Sequence, residues 1–93
     1  MLYRGYYKDV TSGNVRGEEK RIGDVILDHV MSSAAADEFA DIFINHYTEI
    51  TGEMIDPLSK PRKIYYDAMD DMETVTLKSN RKRKRYIIIV REA

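Results

Sequence analysis

The chain has 93 residues, 43% hydrophobic and 33% charged, with a formal net charge of −1. Those proportions exclude a disordered chain and suit one domain over residues 1–93 with a single core. The absence of cysteine excludes disulfides, thiolate metal ligands and a cysteine nucleophile, and favours a reducing, cytoplasmic setting.

Met1-Leu2-Tyr3-Arg4-Gly5 lacks the charged-then-apolar layout of a secretory leader. No apolar run approaches the ~20 residues of a membrane span, so no membrane partner is expected. Leu2 to Thr11 reads as a strand, closed by the turn residues Ser12-Gly13-Asn14. After the connection Val15–Gly17, Ile22, Val25, Ile26, His29 and Val30 fall on one stripe of a helix covering most of 19–31. Glu18 and Glu19 suit its first turn, and Gly23 weakens it.

Ser32 and Ser33 supply a break and a new N-cap. Ala35, Phe39, Ile42, Phe43, His46, Tyr47 and Ile50 then trace a longer helix over 34–51, with Gly52 placed to end it. Pro57 and Pro61 bound a loop. Ile64, Tyr65, Ala68, Met69 and Met72 repeat at helical spacing and predict a third helix. The period then becomes two, and Glu73–Ser79 reads as a strand. It pairs with a second strand, Tyr86–Glu92, around a basic turn. The β-branched run Tyr86-Ile87-Ile88-Ile89-Val90 suits a strand covered on both faces.

The expected fold is α+β: a small antiparallel sheet, made of the N-terminal strand and the C-terminal hairpin, packed against two to three helices. Phe39, Ile42, Phe43, Ile87 and Ile89 are expected to share its core.

Charge is divided unevenly along the chain. Residues 1–59 carry a balance of −6 and residues 60–93 a balance of +5, which points to an anionic partner for the second part. The two parts neutralising each other, within the fold or across a homo-oligomer, is the structural alternative. The strongest local feature is Arg81-Lys82-Arg83-Lys84-Arg85, five consecutive cations at the expected hairpin tip. Lys78, Arg91, Arg62 and Lys63 extend the patch. Such a tip suits a phosphate backbone, so nucleic acid or another polyanion is the expected partner. Positive charge on an exposed strand also blocks edge-to-edge pairing, and the same letters satisfy a localisation-type basic cluster.

Tyr3, Arg4, Tyr6, Tyr7 and Lys8 interleave aromatic rings with cations, a second candidate binding surface. Around Tyr3, Arg4 and Tyr6 a small-nucleotide pocket is a further reading; alternate tyrosines covering the core is the structural one. Catalytic constellations are thin, and the expected protein is not an enzyme. His29 and His46 lie on apolar helix stripes, and their spacing to Asp28 or Glu49 matches no ligand pattern. Asp67, Asp70, Asp71 and Glu73 make an acidic cluster with the chemistry to bind a divalent cation, although a solvated helix face is the more ordinary explanation. With no ligand spacing no metal is expected, and with no glycine loop for phosphates no cofactor is expected either.

The segment Ala68-Met69-Asp70-Asp71-Met72-Glu73-Thr74-Val75-Thr76-Leu77-Lys78-Ser79 resembles the C-terminal segment of a small prophage-encoded anti-CRISPR inhibitor of Cas9. In that family the segment is a closing helix, the protein is more acidic, and no basic run follows. The resemblance implies a compact phage or mobile-element α+β protein that occupies a host protein's surface. It carries over no binding residue. A host protein is therefore the alternative partner to nucleic acid.

Overall fold

The computed structural model describes residues 1–13, 17–27, 32–65 and 72–93. Among them are five strands and two helices. The strands are β1 (Leu2–Asp9), β2 (Lys20–Ile26), β3 (Arg62–Tyr65), β4 (Met72–Ser79) and β5 (Lys82–Glu92). The helices, α1 (Ser32–Asn45) and α2 (Tyr47–Thr51), lie between β2 and β3. The strands form one sheet in the order β2-β1-β5-β4-β3, antiparallel at every step. The connection that carries α1 therefore runs from one edge of the sheet to the other, and α1 packs across β5, β4 and β1.

This corrects the expected fold class. A five-stranded sheet replaces the small sheet, and one long helix with a short continuation replaces two to three helices. The helix expected over 19–31 is strand β2 through Ile26. The cause is a bulge: Gly5 pairs with Gly23, but Tyr6 pairs with Arg21, which leaves Ile22 as an extra residue. The inserted residue lets Ile22 and Val25, three apart, both pack on the core. A spacing that reads as helical is thus a strand with one residue too many, and its β-branched residues suit that state. The third expected helix is overturned at Arg62–Tyr65, an edge strand paired with β4. Met72 opens β4, and residues 66–71, with Ala68 and Met69 of that expected helix, lie outside the described residues. So does His29.

The helix over 34–51 is present, divided at His46, whose φ of −119° interrupts the spiral between α1 and α2. Gly52 ends it as expected, left-handed at φ 77°, its N–H donating to Thr48 O at 2.8 Å. Ala35, Ala36, Phe39, Ala40 and Phe43 form the buried stripe of α1, and the three alanines let the helix lie close to the sheet. It buries Tyr3 and Tyr7 of β1, Tyr86, Ile88 and Val90 of β5, and Val75 and Leu77 of β4.

The core expectation holds for Phe39 and Phe43, while Ile42 packs only on the margin. Ile87 and Ile89 are corrected as partners of Phe39: strand alternation sends Ile88 inward and places them on the opposite, outer face, where Ile89 is nevertheless buried. Four β-branched residues in a row give no alternation from which to choose. Pairing with β4 and β1, not the run itself, sets which of them face the helix.

At one end of the core Tyr7, Phe43, Tyr47 and Tyr86 form a cluster with ring centroids 4.9–6.0 Å apart. Tyr47 donates to Glu53 Oε2 at 3.0 Å, so the short bond between the two tyrosine hydroxyls is donated by Tyr86. Burial, followed by this hydrogen bond, pushes the Tyr86 phenol far above its ordinary value.

Candidate functional site

The basic run is strand rather than tip. Asn80 and Arg81 alone connect β4 to β5, both left-handed at φ 52° and 62°, with Ser79 opposite Lys82. This is the two-residue type I′ hairpin, whose twist matches that of the flanking strands. The expected pairing of Glu73–Ser79 with Tyr86–Glu92 becomes Met72–Ser79 with Lys82–Ile89.

Alternation then divides the five cations. Arg81 occupies the turn, where its N–H donates to Asp56 Oδ2 at 3.0 Å. Lys82 sits on the helix side at the exposed end of β5. Lys84, also on the helix side, is only 19% exposed at its side chain and faces Asp9 at 3.4 Å and Glu53 at 3.8 Å. Arg83 and Arg85 stand on the outer face. No free loop of five cations exists, and Lys84 belongs to the neutralised interior edge.

The outer face gathers cations from all five strands. Directly paired residues in an antiparallel sheet share a face. Arg62 of β3, Thr76 of β4 and Arg85 of β5 therefore form one row, and Lys78 stands beside Arg83 in the next. Further along β5 come Lys8 beside Ile87, Tyr6 beside Ile89, and Arg4 beside Arg91. Lys63, one residue from Arg62, points the other way and bridges Asp37 and Asp41 of α1 at 2.6 and 2.7 Å. Those two carboxylates, hydrogen-bonded to its ammonium, raise the Lys63 pKa.

The two ends of this face differ electrostatically. At the β1–β2 end Arg4 and Arg21 share Asp24, at 3.8 and 2.7 Å. Arg91 grips Glu19 with two hydrogen bonds of 2.6 and 2.9 Å and stacks over the Tyr6 ring at 5.1 Å. Lys8 lies 3.9 Å from the same Glu19. At the hairpin end, Arg62, Lys78 and Arg83 have no carboxylate in ion-pair contact among the described residues. Two hollows meet there at Arg83 and Thr76. One, of about 300 Å³, is lined by Leu58, Ser59, Lys60, Arg62 and Lys78 as well; the other, of about 270 Å³, adds Thr11 and Arg85.

The aromatic candidate surface does not survive as one surface. Tyr3 and Tyr7 are buried beneath α1, whereas Tyr6 lies on the outer face with Arg4 and Lys8. Tyr3 and Tyr6 therefore cannot line a common nucleotide pocket. His46 is exposed on the helix, 3.4 Å from Glu49. Of the acidic cluster, Asp67, Asp70 and Asp71 lie outside the described residues. Among the described residues no group of three His, Asp or Glu side chains is placed to hold a metal ion. Within the same bounds, no helix is long and apolar enough to cross a membrane.

Lys60, Ser59 and Leu58 were not singled out by the sequence. The only signal was Pro57 and Pro61 around them. The loop is held to β4 by Asp56 N–H to Lys78 O and by Lys78 N–H to Ser59 Oγ, both 2.9 Å, which brings Lys60 beside the sheet face. Comparison with protein families, curated proteins and solved structures returns no match.

Proposed function

We propose that the protein is a non-enzymatic nucleic-acid-binding module that uses the outer face of its sheet, centred on the hairpin end. The observation that supports this reading is the grouping of Arg62, Lys78 and Arg83 on one face without carboxylate partners among the described residues. Successive outer positions along β5, Arg83 and Arg85, lie one two-residue step of ~6.8 Å apart. A regular row of cations on a firm sheet suits the regular charges of a phosphate backbone. Phosphate contacts position a protein without reading bases, so sequence preference is slight. A reducing, cytoplasmic setting accords with the absence of cysteine.

The test is salt dependence, because each neutralised phosphate releases a counterion. Four engaged cations give a slope of log K against log salt of about −3 to −4. Replacing Arg62, Arg83 and Arg85 together by Ser flattens that slope by about 2–3, whereas Arg81→Gly changes it by less than ~1. Absent binding at physiological salt, or an unaltered slope in the triple variant, overturns the proposal. In that case an acidic surface of a host protein becomes the partner to test.

A further inference from the structure

Leu58 is 93% exposed, yet the loop that carries it is firmly held. Asp56 and Ser59, on either side, bond to the backbone of Lys78, and Ser59 N–H returns to Asp56 O at 2.9 Å. A single exposed leucine carries no message by itself. Here it lines the 300 Å³ hollow together with Leu77, the cations Lys60, Arg62, Lys78 and Arg83, and Ser59 and Thr76. The leucine suits an uncharged planar face and the cations suit an anion. The volume is at the small end of ligand sites, which suits one small ligand unit rather than several.

We infer that this hollow seats one unstacked nucleotide, its phosphate among Arg62, Lys78 and Arg83 and its base against Leu58, so that the protein prefers single strands to duplex. The inference rests on the nucleic-acid reading above and deepens it. In a duplex the bases are paired and stacked, and extruding one costs energy that a single strand does not pay. Cations alone make no such distinction, since both forms present phosphates.

The experiment measures anisotropy of a labelled 12-nucleotide oligothymidine and of a 12-base-pair duplex at equal salt. The single strand is expected to bind about tenfold more tightly, the order of one base contact. Leu58→Ala is expected to weaken single-strand binding several-fold and to leave duplex binding unchanged. Leu58→Phe, with a larger apolar wall, strengthens the single strand only. The residue is exposed, so neither variant threatens the fold. Equal affinity for both forms, or equal effects of Leu58→Ala on both, overturns the nucleotide seat while salt-dependent binding keeps the wider reading. Failure of both probes to bind overturns the two together.

Discussion

The ring of Phe39 rests directly on the bare backbone of Gly5. A β-carbon at Gly5 would lie 2.6 Å from Phe39 Cε1 and closer still to Cδ1, and Phe39 is fully buried with nowhere to retreat. Gly5→Ala is therefore expected to destabilise by at least ~1–3 kcal/mol through overpacking. Phe39→Ala alone should cost ~3–5 kcal/mol by leaving a cavity. In that background Gly5→Ala should become nearly neutral. Urea midpoints of the two single variants and the double variant measure this coupling, and additive losses would mean that the ring does not sit on Gly5.

Thr74 gives a prediction of the opposite sign. It is 3% exposed, and its hydroxyl has no hydrogen-bond partner among the described residues. Thr74→Val keeps the shape and removes an unsatisfied polar atom, which should raise stability by about 1 kcal/mol. A lowered urea midpoint would show that the hydroxyl is bonded in solution.

Arg81 separates stability from binding. Its φ of 62° is a conformation that costs a side-chain-bearing residue roughly 1–2 kcal/mol and glycine almost nothing. Arg81→Gly should therefore raise the thermal midpoint, while the bond from its backbone N–H to Asp56 is kept. It should also leave the salt slope for nucleic acid nearly unaltered, because Arg81 is not on the outer face. A large loss of affinity would restore the hairpin tip as the site.

Acid should weaken the fold through Glu19 and Asp9. Hydrogen bonds from Arg91 hold the Glu19 carboxyl below the usual range, against partial burial, with the charges of Arg91 and Lys8 assisting. At Asp9, burial acts upward, but hydrogen bonds from Thr11 and the nearby Lys84 outweigh it, and the value is lowered. A group lowered on folding stabilises fully above its unfolded pKa, about 4, and loses that contribution as pH falls toward the folded value. Stability should thus be level between pH ~5 and 7 and decline below pH ~4. The Asp9→Asn, Glu19→Gln variant should be less stable at neutral pH and decline less steeply. An unchanged acid slope would assign the loss to other carboxylates.

What the sequence discloses depends on how each element encodes its state. α1 is legible because Ala35, Phe39 and Phe43 repeat at helical spacing over a long stretch, and β1 because turn residues follow it closely. β2 is hidden by its bulge, which gives Ile22 and Val25 a helical interval within a strand. β3 is short and edge-bound, stabilised through β4 and the Lys63 bridge to α1, and neither is local in sequence. The cationic face shows the same limit. Arg62, Lys78, Arg83 and Arg85 are visible as letters, but their common side depends on the register of three strands. The run of five consecutive cations drew attention to Lys84 as well, which the pleat directs inward to Glu53 and Asp9.

The position of β5 bears on the order of assembly. It is the last of the five described strands, yet it lies in the middle of the sheet, between β1 and β4. Until it is synthesised, β1–β2 and β3–β4 are separate hairpins, and a two-stranded hairpin is marginal in water. The pairing of Tyr3 with Glu92 closes almost the whole length of the chain. Such distant contacts pay loop-closure entropy before they reward it, which slows folding. Cooperative structure of this sheet thus waits for β5, and until it forms the β-branched run of β5 is an aggregation hazard.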